Sequence, residues 1–354
     1  MSMSPEQSET DAGELKRQHG QRRRWSRRTT IGASAVAAAI GLAALAVILM
    51  TRPGEAATTR AANALIDTTT TVTEPGEPKV DYTIDLNTGV TTPLPDAVIT
   101  SVADFGRSSQ TKYAASPDGS MLAYVGHGDD ENPQIFVAGI DGNGVRQVTH
   151  DSREAMSPAW SPDGTRVAYV GYGADCAANA RSLFVVAVAT GESIQIIETG
   201  DQVWDPQFTP DGSSLLYTGG NYSSPELRTV PVAGGKSTLL VGPGEGVTDA
   251  GNGSLSPDGS LVTFLGSGWP DSFNGHCGPC RLVANADGTE RRVIPGFESS
   301  PAGTWSPDGD RIVVGDGSDS GIIVVDIATG AASSVGEGRA AIWVDRHTLL
   351  VDVA

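Results

Sequence analysis

The residues best suited to chemistry are a histidine and two cysteines in the run Gly275-His276-Cys277-Gly278-Pro279-Cys280. Two thiols separated by two residues can form a disulfide, exchange disulfides or bind a metal ion. Redox exchange requires a thiolate whose pKa is lowered, for example at a helix N-terminus. Here Cys280 leads into a predicted strand at 281–284, so we expect Cys277 and Cys280 to form a structural disulfide.

Other chemistries remain open for these thiols. The Cys-Gly-Pro-Cys spacing matches that of thioredoxin-like oxidoreductases, although the βαβ context of those enzymes is missing. Free thiols, or pairing through Cys176, are further alternatives. Zinc would need four ligands, which His276, Cys277, Cys280 and Cys176 could supply only if their loops approach one another. We therefore predict neither a metal nor a cofactor.

The charge is unevenly distributed and excludes one class of partner. The net charge is -18, yet residues 1–29 carry seven Lys or Arg and four Asp or Glu. The remaining chain is strongly acidic, whereas binding to nucleic-acid phosphates needs a basic face. We expect no nucleic-acid partner. No Gly-x-Ser-x-Gly motif is present, so the nucleophile elbow of serine hydrolases is absent as well.

A repeated turn organises the acidic part of the chain. The tetrapeptide Ser/Thr-Pro-Asp-Gly begins at positions 116, 161, 209, 256 and 306, at spacings of 45, 48, 47 and 50 residues. Pro presets φ, Asp bonds its own backbone, and Gly supplies the positive φ that a tight turn needs. Apolar residues alternate after each turn, which is typical of a half-buried strand. A period of this length predicts a propeller or a solenoid.

The strand count favours a propeller. A large residue precedes four of the five turns, at Trp160, Phe208, Leu255 and Trp305. Two further strands follow each turn, so that each repeat contains four antiparallel strands, the size of one blade. Residues 80–94 resemble the third and fourth strands alone, and residues 341–351 resemble the first and second alone. Together they would make a sixth blade closed by strands from both termini. The sequence thus predicts an all-β, six-bladed β-propeller over residues 79–354.

The blade order predicts where a ligand binds. Connections between second and third strands, and between blades, should be long and lie on one face, which we call the long-loop face. Binding residues are usually carried by long loops on a rigid scaffold. The residues that we place in a binding site there are His127, Asp129, Asp151, Arg153, Glu154, Trp204, Asp205, Trp269 and His276. Acidic groups with interleaved aromatic rings suit a basic peptide, a sugar or a cation; a merely solvated acidic rim is the alternative.

These repeats resemble the WD40-like (PD40) repeats of the TolB-type six-bladed propeller. The residues that carry the resemblance are Trp160-Ser161-Pro162-Asp163-Gly164 with Val167-Ala168-Tyr169, and their counterparts in the other copies. The resemblance implies the architecture but not one function, because such propellers occur in an envelope assembly, beside peptidase domains and in many exported proteins. This chain departs from TolB in lacking room for an α/β domain before the propeller.

The N-terminal region predicts a membrane anchor. Residues 1–29 are expected to be a basic, disordered cytoplasmic tail. Residues 30–51 are uncharged and long enough to cross the ~30 Å hydrocarbon core as a single helix, and the basic flank predicts a cytoplasmic N-terminus with an extracytoplasmic propeller. A cleaved signal peptide is the alternative. Residues 52–78, rich in Thr, Pro and Glu, are expected to be an extended linker.

We therefore predict a single-pass, membrane-anchored binding module at the cell membrane, with a protein or a cell-envelope component as its ligand. The alternative is a hydrolase or lyase that acts on an envelope polymer from the long-loop face. A convergence of Asp, Glu, His or Arg side chains near the propeller axis would favour the enzyme.

Overall fold

The computed structural model describes residues 81–99, 102, 112–128, 132–150, 152–172, 181–198, 203–221, 223–243, 247–267, 280–298, 303–315 and 321–353. The chain divides into the units Met1–Leu65 and Ile66–Ala354, and all of these residues lie in the second. The predicted tail, span and linker (1–29, 30–51 and 52–78) lie outside them. Within these ranges, no helix is long and apolar enough to cross a membrane.

The described strands form six antiparallel sheets of four strands each. The chain enters through β1 (Tyr82–Asp85), β2 (Thr91–Pro93) and one turn of helix, α1 (Asp96–Ile99). Blade 1 contains β3 (Tyr113–Ala115), β4 (Met121–His127), β5 (Pro133–Gly139) and β6 (Arg146–Gln147). Blade 2 contains β7 (Glu154–Trp160), β8 (Arg166–Tyr172), β9 (Arg181–Ala187) and β10 (Ser193–Glu198).

The next three blades repeat this order. Blade 3 contains β11 (Trp204–Phe208), β12 (Ser214–Asn221), β13 (Ser224–Pro231) and β14 (Thr238–Val241). Blade 4 contains β15 (Asp249–Leu255), β16 (Leu261–Ser267), β17 (Cys280–Asn285) and β18 (Arg292–Glu298). Blade 5 contains β19 (Gly303–Trp305), β20 (Arg311–Gly315), β21 (Ile322–Asp326) and β22 (Ala332–Gly336).

Strands from both ends of the described chain build blade 6. Its sheet has the order β2-β1-β24-β23, where β23 spans Ala340–Trp343 and β24 spans Thr348–Asp352. Tyr82 pairs with Val351, and Asp85 pairs with Thr348. The first strands of the blades touch in circular order, β3, β7, β11, β15, β19 and β23, and β23 returns to β3. The predicted all-β, six-bladed propeller with a shared sixth blade is confirmed.

Each second strand is buried more completely than its alternating pattern suggests. In β4, Leu122, Ala123, Tyr124 and Val125 are all at most 2% exposed. The reason is that each blade packs between two neighbours, so both faces of its central strands meet protein. The half-buried strands expected from the sequence are therefore wrong for these strands. The described buried apolar residues group into clusters that each span one blade–blade interface.

The repeated turn joins the first and second strands of each blade. In blade 2 the Ser161 hydroxyl donates to Asp163 Oδ1 at 2.5 Å and accepts from the Arg166 N–H at 2.9 Å. Asp163 Oδ1 also accepts from the Thr165 N–H at 3.0 Å, and Gly164 has a φ of 68°. The Ser161 bond, followed by those from Thr165, lowers the pKa of Asp163 to about 2. The motif is thus turn chemistry, as its residues predict.

Tryptophans at the ends of three first strands join neighbouring blades. Nε1–H of Trp160, Trp305 and Trp343 donates to the carbonyls of Ala114, Ser254 and Thr304, at 3.0, 2.9 and 3.1 Å. Each bond runs from a first strand to the first strand of the preceding blade. Such bonds hold the ring of first strands in register. This ring positions the residues that lie near the propeller axis.

Candidate site at the axial mouth

The starts of the first and third strands and the ends of the second strands lie on the long-loop face, because the strands alternate in direction. One connection on this face is shorter than predicted: only Tyr222 and Ser223 separate β12 from β13. Blade 3 therefore has a tight hairpin where the other complete blades have longer connections.

Five of the nine predicted binding residues are described. His127 ends β4 and is exposed, and Glu154 starts β7 and is exposed. The Arg153 guanidinium lies 5.4 Å from the Phe184 ring centroid. These three belong to blades 1 and 2, whereas Trp204 and Asp205 start β11 in blade 3. The predicted residues outside the described ranges are Asp129, Asp151, Trp269, His276 and Cys277.

Three consecutive blades carry the same backbone irregularity on their first strand. Ser157, Asp205 and Asn252 have φ values of 54°, 48° and 49°, and each lies four residues before its repeated turn. The ladder to the second strand shifts register beside each of them. Positive φ strains a residue other than glycine, and bulges of this kind redirect side chains next to functional sites. The first strands of blades 2–4 therefore each carry one bulged polar residue; we call the group of Ser157, Asp205 and Asn252, with Trp204 and Arg181, the axial mouth.

Asp205 is the acidic residue of the axial mouth. Burial raises the pKa of its carboxyl to about 6, and attraction by Arg181 and Arg281 opposes that rise. Although the residue keeps partial exposure, dense protein surrounds it and disfavours its charged form. Its carboxylate accepts no hydrogen bond from the residues that the structure describes. A carboxyl group with these properties can change its protonation state near neutral pH.

Arg181 is held in place by two aromatic rings. Its guanidinium carbon lies 4.8 Å from the Tyr172 ring centroid and 4.7 Å from that of Trp204. Tyr172 ends β8 in blade 2 and Trp204 starts β11 in blade 3, so Arg181 bridges the two blades. Cation–π contacts contribute roughly 0.5–2 kcal/mol each, more when desolvated. They fix the plane of the guanidinium beside Asp205.

Arg281 is a charged residue at a position where the other complete blades have an aliphatic residue. It pairs with Leu265 in blade 4, and the corresponding partners in the other complete blades are Ile135, Leu183, Leu227 and Ile322. All five side chains are 0% exposed. Arg281 Nη1–H donates to the Asn252 carbonyl at 3.0 Å. Burial lowers the pKa of Arg281 to about 10, and the Asp205 charge opposes this.

A second polar group closes the seam between blade 6 and blade 1. Asp352 Oδ1 lies 3.4 Å from Lys112 Nζ, and Asp352 Oδ2 accepts from Arg339 Nη2–H at 2.7 Å. Asp81 accepts from the Tyr113 hydroxyl and from the Val353 N–H. Burial raises the pKa of Asp81, and burial with the nearby Asp81 charge raises that of Tyr113. These groups satisfy one another, so we assign them to closure of the ring.

Only some of the predicted thiol and metal-ligand residues are among those that the structure describes. Cys280 is disulfide-bonded and 0% exposed in the core of blade 4. Its predicted partner, Cys277, lies outside the described residues, so that pairing stays a prediction. Among the described residues, no group of three or more His, Cys, Asp or Glu side chains could hold a metal ion.

Asp205 predicts a pH dependence of stability. The pKa of Asp205 in the folded protein, about 6, exceeds the ordinary value of 3.8. The contribution of Asp205 to the free energy of unfolding is therefore fully present below pH 3.8 and is lost as the pH rises through 6. Asn accepts positive φ readily, so Asp205→Asn should keep the bulge. We expect the stability of wild type relative to this variant to fall by up to about 3 kcal/mol between pH 4 and 7, as measured by urea unfolding. A constant difference across this range would contradict the assignment.

Comparisons with known proteins agree with the architecture. The family model of the TolB β-propeller domain (PD40) matches residues 106–269. TolB from Acinetobacter baumannii superposes with a TM-score of 0.51 at 15% identity, over 77% of this chain and 63% of that one. The present chain thus spans less than two thirds of that TolB structure. No curated protein matches the sequence.

Two other structures share the fold. A chain of the nidogen/laminin complex superposes with a TM-score of 0.52 at 13% identity, over 73% of this chain and 95% of that one. Oligogalacturonate lyase in complex with manganese has a TM-score of 0.51 at 18% identity, over 75% and 73%. At these identities the likeness concerns the fold alone. Residues 106–269 match the PD40 model, and the described residues fold as a six-bladed propeller similar to that of TolB.

Proposed function

We propose that this protein is a membrane-anchored, extracytoplasmic binding module whose ligand, a protein or a cell-envelope component, docks at the axial mouth. The observation that carries the proposal is the group formed by Asp205, Arg181 and Trp204, together with the buried Arg281, whose charge acts on Asp205. A buried ion pair is weak evidence for stability, and residues other than glycine with positive φ cluster at functional sites; Ser157, Asp205 and Asn252 occupy equivalent positions in blades 2–4. The rigid inner ring supplies the preorganised support that a binding site needs.

The class of ligand is supported by similarity of fold. The nidogen/laminin complex is an assembly of proteins that contains a propeller of this kind. The axial mouth combines a rigid aromatic surface with a fixed arginine, and Trp, Tyr and Arg are the residues most often found in binding hot spots. Both features suit a macromolecular ligand that presents a small polar group to the axis.

The membrane anchor rests on the sequence alone. Residues 30–51 are uncharged and follow a basic tail, which favours a single span with the propeller outside. Protease treatment of intact cells should therefore digest residues 79–354 and spare the tail. Protection of the propeller under conditions that digest a known surface protein would contradict this topology.

The binding site predicts the effect of two substitutions. Full-length protein in detergent should capture its ligand from envelope extracts, and Arg181→Ala or Trp204→Ala should lower the recovered ligand by at least about tenfold, because hot-spot truncations typically cost 2 kcal/mol or more. The matched control is Lys236→Gln, which lies between β13 and β14 on the opposite face of blade 3. Circular dichroism shows whether each variant folds. Undiminished capture by both folded variants would contradict the placement.

An enzyme is the second candidate, and one observation favours it. The carboxyl of Asp205 has a pKa of about 6, within the range in which an acid can exchange protons during catalysis near neutral pH. Two arginines nearby could stabilise developing negative charge. Turnover of envelope polysaccharide that disappears in Asp205→Asn, with ligand capture retained, would favour the lyase or hydrolase over the binding module.

A further inference from the structure

We propose that the outer edge of blade 2 binds an extended segment of a partner protein, which adds a strand to β10 and places an aliphatic side chain beside Ile194. The site goes beyond the proposed function, because β10 is the outermost strand of its blade and contributes no residue to the axial mouth. The inference follows from the backbone of β10, from the exposure of Ile194 and from the charge beside it.

The outer side of β10 presents backbone groups that can pair with another strand. The sheet order is β10-β9-β8-β7, so among the described strands β10 has a neighbour on one side only. The Ala187 N–H donates to the Glu192 carbonyl at 2.9 Å, and bonded pairs alternate with non-bonded pairs along an antiparallel ladder. Ser193 and Gln195 therefore direct their N–H and C=O groups away from β9. An extended peptide is the ligand that such an edge binds.

The edge of β10 lacks the devices that usually protect edge strands from pairing, which are shortness, positive charge and proline. Three other outer strands of this propeller have them. Strand β6 has two residues and includes Arg146, β18 includes Arg292 and Pro295, and β2 ends at Pro93. Strand β10 has six residues, and residues 193–197 contain neither a charge nor a proline. The outer edge of blade 2 is thus open to a further strand.

Ile194 stands where two other blades have an arginine. The residues at the equivalent position of blades 1 and 4 are Arg146 and Arg292. Each of these arginines donates from Nη2 to a carbonyl of the next blade, at Val188 and Ile327. Ile194 cannot make this bond, and its side chain is 48% exposed. The margin of blade 2 that faces blade 3 therefore presents an apolar surface where the other two margins are bridged.

Blade 3 adds a second aliphatic side chain to this margin. Leu239 on β14 is 50% exposed and pairs with Arg228, which lies on the same face of β13 as Val230. Val230 packs in the cluster that blades 2 and 3 share, as does Val185, the partner of Ile194. Ile194 and Leu239 therefore each point toward the neighbouring blade. A strand added to β10 would meet this surface with the side chains of one of its faces.

The charge at this edge favours another protein over a second copy of the chain. Glu192 is exposed and lies two residues before Ile194, on the same face. In an antiparallel added strand, the residue opposite Glu192 follows the residue opposite Ile194 by two positions, and a basic side chain there forms a favourable cross-strand pair. Two copies of a chain with a net charge of -18 repel each other. The segment that fits carries an aliphatic residue and, two positions later, a lysine or arginine.

The test uses full-length protein in detergent and a fluorescein-labelled peptide, Ser-Val-Thr-Val-Thr-Lys-Ser, with binding followed by fluorescence anisotropy. Methylation of the backbone nitrogens of both threonines should weaken binding by about tenfold or more, because it removes the donors that face the carbonyls of Ser193 and Gln195. The protein is the same in both measurements, so its folding does not affect the comparison. Equal affinity for the two peptides, or binding of neither, would overturn the proposal.

Variants of the protein locate the peptide. Ile194→Arg introduces the side chain found in blades 1 and 4 and should weaken binding of the unmethylated peptide by about tenfold or more, because the apolar contact is lost. The matched control is Val90→Arg, at an aliphatic side chain that is 60% exposed beside β2, and it should bind as wild type does. Circular dichroism shows whether each variant folds. Unchanged binding by folded Ile194→Arg would overturn the proposal.

Two further measurements test the choice of partner. Glu192→Lys should lower affinity for this peptide by about threefold and raise it by a similar factor for the peptide with glutamate in place of lysine. Equal affinity of Glu192→Lys for both peptides would contradict the predicted alignment. Sedimentation gives the oligomeric state. A wild-type dimer that Ile194→Arg dissociates would assign the edge to a second copy and overturn the proposal.

Discussion

Asp352→Asn should lower the free energy of unfolding by about 3–5 kcal/mol, the usual cost of removing one partner of a buried ion pair. The change leaves the buried Lys112 and the partly buried Arg339 without the carboxylate that they share at 3.4 and 2.7 Å. Because β24 pairs with β1 to close the ring, we also expect faster amide exchange in Tyr82–Asp85. Urea unfolding and hydrogen exchange measure the two effects.

The control for this prediction is Glu226→Gln. Glu226 and Arg228 are 2.8 Å apart, but their side chains are 23% and 32% exposed. A solvated pair contributes about 0–1 kcal/mol, so this variant should stay close to wild type. Equal losses in the two variants, or unchanged exchange in β1, would show that the seam does not hold the ring closed.

The double variant Arg281→Leu/Asp205→Asn should be more stable than wild type by about 1–4 kcal/mol, because it removes two buried ionic groups, and such replacements are often stabilising by this amount. Leucine already occupies the equivalent position in blades 2 and 3, as Leu183 and Leu227. Asn keeps the positive φ of the bulge.

The single variants complete a double-mutant cycle. Arg281→Leu alone leaves Asp205 with less of the attraction that lowers its pKa, so the acid should titrate at a higher pH than in wild type. The difference between the double variant and the sum of the singles measures the coupling of the two charges. A double variant that is less stable than wild type would show that the two charges stabilise the fold, and it would contradict a functional role for Arg281.

The architecture could be predicted because it follows from local sequence patterns. Each Ser/Thr-Pro-Asp-Gly turn lies beside the strands that it joins, and the two incomplete strand sets at residues 80–94 and 341–351 show that a blade is shared. Register and turn chemistry operate over a few residues, so a single sequence is enough. The two-residue connection between Asn221 and Ser224 could not be predicted in this way, because the repeat pattern does not distinguish the second-to-third connection of blade 3 from those of the other blades.

Only part of the candidate site could be predicted, because the residues that form it come from three blades. Trp204 and Asp205 were chosen as aromatic and acidic residues on the long-loop face, but their relation to Arg181 and Arg281 depends on the packing of blades 2–4. One signal was available: alignment of the repeats places Arg281 where the other copies have Ile135, Leu183, Leu227 and Ile322. An unmatched charge among aliphatic residues marks a site more sharply than the general acidity of the rim.

Site-specific photo-crosslinking tests the central claim most directly. A photoreactive phenylalanine analogue replaces Trp204 at the axial mouth or, in the control, Lys236 on the opposite face of the same blade, in full-length protein irradiated in intact cells. If the ligand binds at the axial mouth, the analogue at position 204 should form a specific adduct with it, and the analogue at position 236 should not. Adducts from position 236 alone would contradict binding at the axial mouth and would place the binding surface on the face that carries the repeated turns.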